Sequence, residues 1–155
     1  MWFVFVAVSG FVAAFCLLWT LCRRYAVVDV HGASMEPTLR HGDRVLVRRV
    51  REGGVRTGDI VVVERFGWDD QPRRVWVVKR AAAVAGDPVP GSVAHAAGVA
   101  PGSAVPAGRL VVLGDNPAHS TDSRVWGYLP TDRLLGVVRR RMGAGERGGS
   151  GRGDA

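Results

Sequence analysis

Arg74-Val75-Trp76-Val77-Val78-Lys79-Arg80 is the stretch on which the reading of this chain turns. β-Branched and aromatic residues fill its centre, the composition of a strand. Strand alternation then sets Val75, Val77 and Lys79 on one face and Trp76, Val78 and Arg80 on the other. Lys79 is the one lysine in a chain with 21 Lys and Arg residues. Arginine keeps its proton at any accessible pH, whereas a lysine among apolar neighbours gives it up more easily and becomes a neutral base. The plainer reading is an edge-strand lysine whose stem packs while its ammonium reaches water. The rest of the chain decides between them.

With 155 residues, 47% of them hydrophobic, the chain has room for one domain with a real core. The formal charge of +7 suits an anionic partner. The arginines, however, are scattered singly and in pairs, with no basic helix and no aromatic-basic alternation, which argues against nucleic acid. Cys16 and Cys22 both lie in the N-terminal apolar run. Six residues apart on a helix they point about 240° from each other, so free thiols are expected. His31, His41, His95 and His119 lack ligand spacing such as H-E-x-x-H, and neither a metal nor a cofactor is expected.

Residues 2–22 carry no charge, and only Ser9, Gly10 and Thr20 interrupt the apolar run. As a helix this segment would be about 31 Å long, enough for a bilayer core of roughly 30 Å. A cleavable leader is the competing reading, but no basic segment precedes the run, it is long for such a leader, and no Ala-x-Ala closes it. A retained single-pass transmembrane anchor is expected. Arg23-Arg24 follow it directly, which by the positive-inside rule favours a cytoplasmic domain and opposes the extracytoplasmic placement adopted below.

Beyond the anchor, Gly42-Asp43 and Gly58-Asp59 precede strand-like runs, while Gly86-Asp87 and Gly114-Asp115 follow them. Short strands at this spacing predict a mainly β domain over residues 25–142. Within it, Phe66-Gly67-Trp68 reads as an apolar tip in a polar connection. Residues 88–108, rich in Ala, Gly, Pro and Ser, read as a loop or weak hairpin. Residues 109–113 and 134–140 read as the closing strands, and residues 143–155 as a disordered tail.

The chemistry-bearing stretch is His31-Gly32-Ala33-Ser34-Met35-Glu36-Pro37-Thr38-Leu39, a serine in a turn set by Gly32 and Pro37. A hydroxyl becomes a nucleophile when a base takes its proton, and Ser-Lys pairs do this as well as Ser-His-Asp triads. Ser34 and Lys79 offer the first arrangement. The four histidines leave the second open, although no Gly-x-Ser-x-Gly elbow surrounds any serine.

These segments resemble the type I signal peptidases, also called leader peptidases. Ser34-Met35-Glu36-Pro37-Thr38-Leu39 matches that family's S-M-x-P-T-L segment. Lys79-Arg80 with Gly86-Asp87 matches K-R-x-x-x-x-x-G-D, and Gly114-Asp115-Asn116 with Ser120, Asp122, Ser123 and Arg124 matches G-D-N-x-x-x-S-x-D-S-R. Each motif alone is weak; three in order after an apolar N-terminal run are specific.

The resemblance implies a signal-peptidase-like β catalytic domain behind the anchor. Ser34 would be the nucleophile and Lys79 the general base, with Ser120 orienting the lysine. Asp115 with Arg80, and Asp122 with Arg124, would brace the site. The Ser34 backbone N–H would hold the oxyanion; Gly32 stands where some members place a second, hydroxyl donor. Substrates would be signal peptides of secretory precursors, bound extended, with Val28, Val30, Met35, Leu39, Val77 and Val78 lining pockets for small side chains. The plainer reading of those six is core. The implied location is the cell membrane, with the lipid bilayer as a partner and the oligomeric state unknown. The alternatives are a maturation protease of the same chemistry dedicated to one precursor, and a non-enzymatic β-domain binding exported peptides.

Overall fold

A computed structural model describes residues 2–50, 53–66 and 74–144. The chain opens with helix α1 (Trp2–Arg24), which runs straight into strand β1 (Tyr25–Asp29). Then come β2 (Asp43–Arg49), β3 (Ile60–Phe66), β4 (Arg74–Val84), α2 (Gly91–Ala97) and β5 (Arg109–Leu113). A short helix α3 (Ser123–Trp126), β6 (Leu129–Pro130) and β7 (Leu134–Ala144) complete it. Among the described residues the seven strands make one antiparallel sheet, ordered β1-β2-β7-β3-β4-β5-β6. The mainly β expectation holds for the domain.

The sheet is covered on both faces, which is why β3 reads as an unbroken apolar run instead of an alternating one. Val61 and Val63 enter a cluster with Ala81, Leu110, Val112, Leu129 and Val137. Val62 turns the other way, into a cluster with Val30, Met35, Leu39, Val45 and Val47. A third cluster joins Ala83, Val89 and Val111 to Val93 and Ala94 of α2.

That third cluster corrects the reading of residues 88–108 as a loop or weak hairpin. Val93 and Ala94 face the sheet from a seven-residue helix that ends at Gly98, whose φ of 68° closes it with N–H bonds to the carbonyls of Ala94 and His95. So short a helix shows barely two turns of periodicity, so the small residues dominated its reading. The last strand also runs on past residue 140, to Ala144. Pairing with β2 carries it: Arg141 lies opposite Val45, and its Nε meets the buried Asp43 carboxylate at 3.1 Å. Gly67 and Trp68 of the apolar tip, and residues 145–155 of the tail, lie outside the described residues.

Among the described residues no helix is long and apolar enough to cross a membrane. The described side chains of α1 begin at Gly10, and of these Phe11, Val12, Phe15, Leu17, Leu18 and Trp19 are each more than half exposed.

Candidate active site

Strand register sets up the site. Lys79 lies opposite Val61, and Arg80 opposite Ile60. Directly opposed residues share a face, so Lys79 joins Val61, Val63 and Val77, while Arg80 points to the other side of the sheet. Lys79 is 4% exposed.

Ser34 comes from the loop between β1 and β2. Met35 and Leu39, buried in the second cluster, anchor that loop from within, and the Leu39 N–H closes it on the Met35 carbonyl at 2.9 Å. The Ser34 carbonyl accepts the Asn116 N–H at 3.1 Å, which ties the loop to the segment after β5. Gly114 makes the approach possible. A Cβ there would lie 2.6 Å from the Ser34 carbonyl oxygen and 2.2 Å from Ser120 Oγ, so only glycine lets both serines close on this point.

From Ser120 a chain of hydrogen bonds runs inward. Ser120 Oγ donates to Asp122 Oδ2 at 2.7 Å. The fully buried Asp122 carboxylate also accepts the Gly114 N–H at 2.8 Å, and Arg124 grips it with Nε at 2.9 Å and Nη2 at 2.6 Å. Asp122 caps α3 as well, taking the Arg124 N–H at 3.2 Å. Burial works against its charge, but the bonds from Arg124, Gly114 and Ser120 outweigh that and hold its carboxyl below the ordinary aspartate range.

Lys79 Nζ lies 3.0 Å from Ser120 Oγ. A serine hydroxyl has one proton, and this one is committed to Asp122, so in the contact with Lys79 the amine donates and Ser120 accepts. A neutral amine so held spends an N–H on Ser120 and keeps its lone pair. Burial lowers the Lys79 pKa, with help from the positive charges of Arg124 and Arg65; Asp122 pulls the other way.

A second network lies on the opposite face. Arg80 clamps Asp115, with Nε to Oδ1 at 2.8 Å and Nη2 to Oδ2 at 2.6 Å. Thr38, from the Ser34 loop, donates to Asp115 Oδ2 at 2.6 Å. Hydrogen bonding to Arg80 is the main reason the Asp115 carboxyl also lies low.

The structure thus links Lys79, Ser120, Asp122 and Arg124 in one chain of hydrogen bonds that meets the Ser34 backbone at Gly114, while Arg80 and Asp115 form a separate pair. It spreads the six expected pocket positions over two faces: Val28, Val30, Met35, Leu39 and Val78 belong to the second cluster, and Val77 to the first. Val30, Met35 and Leu39 are buried, while Val28, Val77 and Val78 are half-buried. The histidines take other places. His31 and His41 pack edge to face, 5.6 Å between ring centres, and His41 Nδ1 accepts the Gly32 N–H at 3.2 Å. His95 and His119 are exposed, on α2 and in the turn before Ser120.

Sequence reasoning missed three contributors. Thr38 and Gly114 enter the sequence reading only as members of motifs, with no contact assigned to either. Arg65, stacked 4.8 Å over the Trp126 ring, was not singled out, although alternation from Val61 and Val63 puts it on the lysine's face.

The chain matches the family described as signal peptidase, peptidase S26, over residues 2–95 and 90–142. It is 36% identical to the mitochondrial ATP-independent inner membrane protease subunit 1a of Arabidopsis thaliana, over 84% of this chain and 79% of that protein. It is 29% identical to signal peptidase IB of Staphylococcus aureus (strain COL), over 91% of this chain and 87% of that protein.

Proposed function

The chain belongs to the signal peptidase S26 family and is a serine peptidase, and we propose that it is a membrane-bound endopeptidase that removes signal peptides from exported proteins with a Ser34-Lys79 dyad. The observation that carries the dyad is the lysine's hydrogen bond to a serine already committed to Asp122. That arrangement leaves a buried amine of lowered pKa with its lone pair unspent, beside the point where the Ser34 backbone and Ser120 converge.

In this reading Lys79 takes the Ser34 Oγ proton as the oxygen attacks the scissile carbonyl, and the Ser34 N–H stabilises the oxyanion. Collapse of the tetrahedral intermediate breaks the C–N bond, and the protonated Lys79 returns its proton to the leaving amine. Water, deprotonated by the same lysine, then hydrolyses the acyl-enzyme. Ser120 is a positioning residue, and the Asp122-Arg124 and Asp115-Arg80 pairs fix the loops around it. Of the six pocket positions, half-buried Val28, Val77 and Val78 retain surface for small substrate side chains.

The uncharged run of residues 2–22 would be the anchor, supported by the exposed apolar side chains of α1, with the catalytic domain extracytoplasmic, where released precursors emerge. The test is cleavage of an Ala-x-Ala precursor by the purified chain in detergent, beside Ser34→Ala. We expect a single cut after the Ala-x-Ala site, and none with Ser34→Ala. Undiminished cleavage by the variant would refute the assignment.

The chain matches an inner membrane protease subunit as well as a signal peptidase, which leaves a second reading, a maturation protease of the same chemistry dedicated to one precursor. A panel of unrelated precursors separates the two, since a dedicated enzyme would cut one and leave the rest.

A further inference from the structure

The loop that carries Ser34 is closed at its neck by a side chain, at the point where the backbone ladder runs out. Strand β1 pairs with β2 as far as Asp29 opposite Arg44, and one more rung follows, the Val30 N–H to the Asp43 carbonyl at 2.8 Å. There Gly42, at a φ of 88°, turns its own N–H back onto the Val30 carbonyl at 2.9 Å, and the Asp43 N–H goes to the Arg40 carbonyl at 3.1 Å. Two residues after Val30, the Gly32 N–H is taken by an imidazole: His41 Nδ1 accepts it at 3.2 Å. An accepting Nδ1 carries no proton, so this bond needs the tautomer protonated on Nε2. His31 packs edge to face against the His41 ring, and its own Nδ1 donates to the Asp29 carbonyl at 3.1 Å.

The bond falls where the loop has most freedom. Gly32 has a φ of 84°, and among the described residues nothing lies within 4 Å of where its Cβ would stand, so packing does not hold it. It is also close to the chemistry. The Ala33 carbonyl accepts the Glu36 N–H at 3.2 Å, and the Ser34 carbonyl accepts the Asn116 N–H at 3.1 Å. With the His41 bond, these hold the peptide between Ala33 and Ser34 from before, within and after. Its N–H is the oxyanion donor of the proposed mechanism, and such a donor works by being aimed in advance.

We propose that His41 is a positioning residue for the peptidase reaction, its Nδ1 fixing Gly32 and, through it, the Ser34 N–H and Oγ. This rests on the reading of Ser34 as the nucleophile. With Nδ1 committed to Gly32 and the proton on Nε2, the ring has no lone pair to offer Ser34, which separates this role from that of a general base. A small misplacement of the attacking and stabilising groups lowers the rate of the chemical step without removing either group.

The experiment compares His41→Phe, which keeps a ring against His31 but has no acceptor, with His41→Asn, whose Oδ1 stands where Nδ1 stood, in the full chain in detergent. Cleavage of the Ala-x-Ala precursor should show kcat about three- to tenfold lower in His41→Phe with KM little changed, and a return to within about twofold of wild type in His41→Asn. Amide exchange followed by NMR should show Gly32 exchanging faster in His41→Phe and slowing again in His41→Asn. His41→Ala, at an exposed position, should match His41→Phe and serves if that variant folds poorly. Wild-type kcat in His41→Phe and His41→Ala, even with a lower melting temperature, would make the bond purely structural and overturns the proposal. So does a His41→Asn as slow as His41→Phe, which would mark the imidazole as a base, or an unchanged Gly32 exchange rate in His41→Phe. Failure of the wild type to cleave, or cleavage by Ser34→Ala, counts against the peptidase reading; the Gly32 exchange rates are read without activity and test the His41 bond by themselves.

Discussion

Lys79 and Arg80 are consecutive, both cationic by type, and each belongs to a network with an aspartate, yet the two networks treat charge in opposite ways. Arg80 meets its carboxylate directly, both oxygens of Asp115 taken in a two-point clamp at 2.8 and 2.6 Å. Lys79 is kept one hydroxyl away. Ser120 stands between it and Asp122, whose oxygens are filled by Arg124, Gly114 and Ser120. A direct pair would raise the lysine's pKa and hold its proton. A hydroxyl spacer orients the amine while leaving desolvation to dominate. In the proposed mechanism, one inserted serine thus separates a fixed cation from a base.

The largest effect should come from collapsing that difference at its centre. Lys79→Arg keeps the charge and much of the stem but cannot supply a neutral base, so precursor cleavage should fall by about 10²–10⁴-fold or more, with circular dichroism unchanged. In the wild type, activity should rise with pH through the lowered lysine pKa. The same shift sets a sign for stability. A lysine whose folded pKa lies below its unfolded value of about 10.4 takes up protons in the unfolded chain first as pH falls, so stability drops between the two values and stays reduced at neutral pH. Lys79→Met should therefore melt higher than wild type at pH 7, with the gain shrinking above the unfolded value. Arg80→Met should melt lower, since it strands Asp115. Equal losses in both Met variants would erase the contrast.

Removing the spacer is the next step down. Ser120→Ala leaves Lys79 buried but no longer aimed, which by misplacement alone costs about 10²-fold or less. The loss should appear in kcat with KM little changed, because Ser120 is argued to act through the lysine. A loss as large as that of Lys79→Arg would show that Ser120 has a primary role.

Much of this contrast is legible in the sequence, for a physical reason. Strand alternation is strict, so the opposite faces of Lys79 and Arg80 follow from the run of residues 74–80 alone, and the apolar, β-branched runs mark their strands. Contacts that depend on backbone approach are another matter. That Gly114 must be glycine is visible only once Ser34 and Ser120 are seen to occupy the space a Cβ would need. Helix α2 escaped because seven mostly small residues, Gly-Ser-Val-Ala-His-Ala-Ala, look the same in a loop as in two turns of helix. The extension of β7 over residues 141–144 escaped because Arg141, Met142, Gly143 and Ala144 carry no apolar alternation, only a partner strand.

The smallest expected effect tests whether the Arg80 network serves the Ser34 loop at all. Thr38 is the loop's one side-chain link to Asp115 among the bonds described, and it is exposed, so water can replace much of what its hydroxyl gives. A neutral hydroxyl to an ionised carboxylate is worth more than a neutral pair in isolation, but exposure brings the net value of the bond to about 1 kcal/mol. Thr38→Val keeps the shape and removes the donor. Melting should drop by a few degrees near pH 7. Because Asp115 titrates below its unfolded value, its contribution is present above about pH 4 and lost as pH falls through the folded value, so the difference between Thr38→Val and wild type should narrow in acid. Cleavage should fall only a few-fold, and Lys79 should keep its pH profile, since nothing in the Thr38-Asp115-Arg80 network touches the amine. A shifted profile would mean that the two faces of β4 communicate, and the separation drawn between Lys79 and Arg80 would have to be abandoned.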